Sequence, residues 1–104
     1  MFRQDVARPF ERIMGCTPTE LLGWLPRALP GARLEIESKP EFGSCRASFD
    51  DGQLQVEWQV MTPRQIALLR ISRLNVCFSY SGLTNPRREE IQAYFDRATQ
   101  RGGG

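Results

Sequence analysis

Between positions 34 and 80 of the chain, apolar and polar side chains alternate one for one in four separate runs. Leu34 and Ile36 alternate with Glu35 and Glu37, and Cys45, Ala47 and Phe49 with Arg46, Ser48 and Asp50. Leu54, Val56, Trp58 and Val60 alternate with Gln55, Glu57 and Gln59, and Leu74, Val76, Phe78 and Tyr80 with Asn75, Cys77 and Ser79. Successive strand side chains point to opposite faces, so a period of two with one apolar side describes half-buried antiparallel strands. Asp51-Gly52, between the second and third runs, reads as a tight type I′ hairpin.

Helix signals flank this block. Thr17-Pro18, Thr62-Pro63 and Asn85-Pro86 each put a capping side chain directly before a proline, whose missing N–H costs nothing at the start of a helix. Thr17 with Glu20, and Thr62 with Gln65, have the spacing of a capping box. Leu21, Leu22, Trp24, Leu25, Ala28 and Leu29 form an apolar stripe that predicts a helix over 18–29, stopped by Pro30-Gly31. Ile91, Tyr94, Phe95 and Ala98 predict another over 86–100, with Glu89 and Glu90 in its opening turns. Two segments are less determinate. Residues 1–15 read as an N-terminal arm or a short helix over Pro9–Met14. Residues 63–71 read as a short helix crossing between two strands, although Ile66 to Ile71 also suits a buried strand.

These elements define an α+β fold in one compact domain spanning 1–104. A four-stranded, largely antiparallel sheet carries helices on one face, in the order helix, three strands, short helix, strand, helix. Phe49, Trp58, Phe78 and Tyr80 fall in the apolar register and are expected beneath the helices. The other face is expected to be polar, lined by Glu35, Glu37, Arg46, Ser48, Gln55, Glu57, Gln59, Asn75 and Ser79.

The chemistry available is narrow. With no histidine, the commonest general base and the commonest zinc ligand are both missing. Cys16, Cys45 and Cys77 are too dispersed for a metal clip and odd in number, which fits free thiols buried as small hydrophobes in a reducing cytoplasm. Glu35 and Glu37 project from one side of a strand, as a solvated pair does. No Gly-rich phosphate loop or nucleophile elbow occurs, and the N-terminal region has no apolar leader. No catalytic, cofactor or metal set is expected.

Charge is the remaining lead. Residues 1–61 carry seven cations and nine anions, whereas residues 62–104 carry seven cations and three anions. The basic half supplies the candidate partner-binding residues Arg64, Arg70, Arg73, Arg87, Arg88 and Arg101. Opposite patches can pair across two copies or recognise a charged partner. The function expected is therefore a cytoplasmic, non-catalytic interaction module, with a homodimer as one of its forms. The alternative is nucleic-acid binding through the arginines, which would be steeply salt-dependent. Bases do not stack on the open sheet face in this reading, because the rings lie in the core register and the face bears acids. A lesser alternative is a small enzyme or carrier using a helix–sheet pocket or the C-terminal glycines. The ending Arg101-Gly102-Gly103-Gly104 resembles the tails of ubiquitin-like modifiers and sulfur carriers, which implies a thin tail entering an activating enzyme. That resemblance covers only the last three or four residues: those folds open on a hairpin and their tail leaves a strand, not a helix.

Overall fold

The computed structural model describes residues 5–100. The chain is α+β, with strands β1 (Phe10–Met14), β2 (Arg33–Ser38), β3 (Phe42–Phe49), β4 (Gly52–Ile66) and β5 (Leu69–Ser81) and helices α1 (Pro18–Ala28) and α2 (Asn85–Thr99). All strand pairs are antiparallel, in the order β1-β5-β4-β3-β2. The sheet thus has five strands rather than four. The fifth is β1, where a short helix was expected; Phe10 and Met14 alternate inward against Phe78 and Leu74. Phe10 stacks on Phe78 at 5.0 Å between centroids, so pairing along β5 outweighs the weak local helix pattern.

Both helices lie on one face. Leu21, Leu25 and Ala28 of α1 and Ile91 and Phe95 of α2 form one core with Cys45, Ala47, Leu54, Val56, Trp58, Val76, Phe78 and Tyr80. Phe95 meets Phe78 edge-on at 5.2 Å, a favoured aromatic geometry. The α1 capping box forms as expected: the Glu20 N–H donates to the Thr17 hydroxyl, and the Thr17 N–H donates to the Glu20 carboxylate. At α2 the cap is Thr84, one residue before Asn85, with the Arg87 N–H donating to its hydroxyl. Glu89 and Glu90 consequently fall beyond the first turn, which holds no acid.

A chain of polar contacts ties α2 to β1 and β5. The Tyr80 hydroxyl donates to Gln92 at 2.7 Å, Gln92 donates to Asp96 at 3.0 Å, and Arg12 donates to the same carboxylate at 2.6 Å. The Arg12 guanidinium also covers the Phe10 and Phe78 rings, at 5.7 and 5.3 Å. Burial, reinforced by Asp96, keeps the Tyr80 hydroxyl protonated well above the ordinary tyrosine range.

The β3–β4 turn differs from the expected type I′. Its loop residues are Asp50 and Asp51, flanked by the Phe49–Gly52 pair, and neither has positive φ. Gly52 is needed for another reason: a Cβ there would lie 2.5 Å from the Ser81 carbonyl and 2.7 Å from the Leu83 nitrogen.

The largest departure is at residues 61–73. No crossing helix forms, and the Thr62–Gln65 capping box is not made. β4 and β5 instead continue as a two-stranded arm, closed by Ala67 and Leu68. Beyond the Val60 N–H, which donates to the Glu41 carbonyl at 2.8 Å, β4 leaves its pairing with β3, and β5 pairs with β1 only from Leu74 onward. Pro63 is accommodated by a bulge, where the register slips between Met61 and Arg64. Arg73 caps the bulge, donating to the Thr62 carbonyl at 3.0 and 2.8 Å.

Candidate functional site

Alternation along the arm sorts its side chains. Met61 and Arg73 pair on the face away from the helices, as do Arg64 with Ile71 and Ile66 with Leu69 beyond the bulge; Gln65 and Arg70 take the other side. The outer side of the arm is therefore an apolar stripe of Met61, Ile66, Leu69 and Ile71 edged by Arg64. Leu69 is 65% exposed and Leu68, at the tip, 98%. Residues 61–73 contain three arginines and no acid. Ala67 holds φ +54, a left-handed conformation that an alanine adopts only at a cost.

The body's open face continues directly into this stripe. Its nearest row is Phe42, Gln59, Asn75 and Ile13, and Phe42 and Ile13 are each 56% exposed. The face is thus less uniformly polar than expected: Phe42 is an aromatic ring on the open side, even though Trp58, Phe78 and Tyr80 are buried as anticipated. The next row is Glu37, Ser44, Glu57, Cys77 and Glu11. It contains three carboxylates and no cation. Asn75 donates to Glu11 at 3.2 Å, while Glu37 and Glu57 have no cationic partner among the described residues. Burial and the charges of Glu11 and Glu57 raise the pKa of Cys77, a half-buried thiol on this face. Cys16 and Cys45 are buried in the core, and none of the three cysteines forms a disulfide. A shallow groove of about 400 Å³ runs across both rows, lined by Phe42, Glu57, Gln59, Asn75 and Cys77.

The six arginines singled out in the sequence do not converge. Arg64, Arg70 and Arg73 are on the arm. Arg87 and Arg88 lie at the opposite end of the sheet, and Arg101 lies outside the described residues, as do the terminal glycines. Arg87 pairs with Asp51 at 3.3 Å and Glu90 at 2.8 Å and covers the Phe49 ring. Arg88 donates to the carbonyls of Leu83 and Val6 at 2.8 and 3.2 Å, fastening the N-terminal segment. With Arg73 engaged at the bulge, Arg64 and Arg70 are the described members without an ion-pair or hydrogen-bond partner.

The helix–sheet crevice is small, about 260 Å³ between the end of α1 and the start of α2, lined by Leu29, Phe49, Ile91 and Tyr94 with the already paired Arg87. Among the described residues, no group of three or more acidic or cysteine side chains is arranged to hold a metal ion. No helix among them is long and apolar enough to cross a membrane.

Sequence reasoning missed Ile13, Phe42 and the outer stripe of the arm. The signal was present as a change of phase. Core residues of β5 occupy positions 74, 76, 78 and 80, whereas Leu69 and Ile71 fall on the opposite phase. Comparison with protein-family models, with curated proteins and with solved structures returned no match.

Proposed function

We propose that this protein is a non-catalytic interaction module that associates with a second copy of itself through the β4–β5 arm. The observation that carries this reading is the outer stripe of Met61, Ile66, Leu69 and Ile71 with the Leu68 tip, displayed on a ribbon that the other described residues do not cover. Two-stranded ribbons are marginal by themselves, and exposed aliphatic side chains at a tip contribute nothing to the body's stability. Contiguous exposed apolar surface edged by charge is characteristic of protein–protein contacts. The arm extends β4 and β5 beyond their pairing with β3 and β1, so neither neighbouring strand flanks it.

Sedimentation equilibrium tests the proposal. The wild-type chain should be dimeric at micromolar concentration. Leu68→Asp combined with Leu69→Asp should sediment as a monomer with an unchanged circular dichroism spectrum. A wild-type chain that stays monomeric at all accessible concentrations rules the reading out.

A further inference from the structure

Self-association through the arm leaves open what it touches. We infer that the arm of each copy lies across the open sheet face of the other, with its aliphatic stripe on Phe42 and Ile13 and Arg64 among the carboxylates of Glu37 and Glu57. This inference rests on the self-association reading and adds the docking surface to it.

Complementarity of two kinds supports that choice. The arm has three cations and no anion, and Arg64 stands on its outer side without a partner among the described residues. The open face offers the reverse, a row of three carboxylates in which Glu37 and Glu57 lack cations. Beside that row, Phe42 and Ile13 supply exposed apolar surface matching Ile66, Leu69 and Ile71 in character. Rows on one face of a strand are ~7 Å apart, about the reach of an arginine side chain, so aliphatic and ionic contacts can form together. The groove by Phe42, Glu57 and Cys77 gives the arm a depression to enter.

The same geometry requires a second molecule. The arm continues the strands of its own sheet, and its outer side belongs to the same face as its own acidic row, so the row that complements it is the one on a second copy. Two copies related by a two-fold axis bring each arm over the other's face and make the contact twice, as an isologous interface does.

Charge exchange tests the docking surface apart from the dimer. Arg64→Glu should raise the dimer dissociation constant about tenfold or more at low ionic strength, and Glu37→Lys with Glu57→Lys should do the same. An equimolar mixture of the two variants should recover tighter association than either alone, because each can then supply the charge the other lacks. Added salt should weaken the wild-type dimer. A dimer that Leu68→Asp and Leu69→Asp disrupt but the acidic-row variants leave intact would overturn this docking surface and leave self-association standing. A monomeric wild type overturns both; if it also shifts duplex DNA at low salt and Arg64→Glu abolishes the shift, the arm is a nucleic-acid element.

Discussion

β4 and β5 run through two regions built from similar residues that behave in opposite ways. In the body, Leu54, Val56 and Trp58 face Val76, Phe78 and Tyr80 beneath two helices and are buried. In the arm, Ile66, Leu69 and Ile71 are just as aliphatic and are exposed. The hairpin ladder is continuous except at the bulge, so hydrogen bonding does not separate the regions. Layering does: the apolar residues of the body point toward the helices and those of the arm point away. Strand formation follows from residue type and pairing, whereas burial follows from phase. The arm persists because it is anchored in a five-stranded sheet and because Arg73 satisfies the bulged Thr62 carbonyl. Its amide protons should therefore exchange at lower opening free energy than those of the body.

Substitutions can break or sharpen this contrast. The largest expected effect is in the body, where Phe78→Ala should cost about 3–5 kcal/mol by urea denaturation, against a change within about 0.5 kcal/mol for Leu69→Ala when both are measured on chain diluted to the monomer. Equal losses would mean that the arm is packed after all. Gly52→Ala should cost about 1–3 kcal/mol, because the atoms in the way belong to the Ser81 and Leu83 backbone and cannot swing aside. Tyr80→Phe removes the buried donor to Gln92 and should cost about 1 kcal/mol at neutral pH.

A pH titration separates the regions without truncating a side chain. Burial pushes the Cys45 thiol from 9.0 up to about 11. The folded state therefore binds its proton more tightly than the unfolded chain does. This contribution is complete below pH 9 and is lost progressively as the pH rises toward 11. Cys45→Ala should flatten that part of the stability profile, and Leu68→Ser should not. A change of the opposite sign is expected at the arm's tip. Ala67→Gly should stabilise by about 0.5–1 kcal/mol, since glycine accepts the left-handed backbone without strain. A destabilisation there would contradict the hairpin geometry.

Much of the body was legible from the sequence. The Thr17–Glu20 box, the α1 stripe and the four alternating runs each stand in the structure because local pattern and tertiary role agree. The arm was not, for a definite reason. Thr62-Pro63 carries the same letters as a helix start, and Ile66 and Leu69 share the spacing of one helical turn. In the structure that spacing arises from a cross-strand pair closed by a two-residue loop, and the proline sits in a bulge. β1 was hidden similarly, since five residues give a period too short to judge and its partner is distant in the chain. Of the candidate site, Arg64 was visible as a cation, but Phe42 and Ile13 acquire meaning only once the register aligns them.

β1 is joined to the sheet by β5, with Glu11 and Asn75 separated by 64 positions. A ribosome must release all five strands before that edge can close. Until then the N-terminal strand waits without its mate, and one flank of β5 remains open to wrong neighbours. The β1–β5 edge should accordingly be the last pairing of this sheet to form, although β1 precedes the other four strands in the chain.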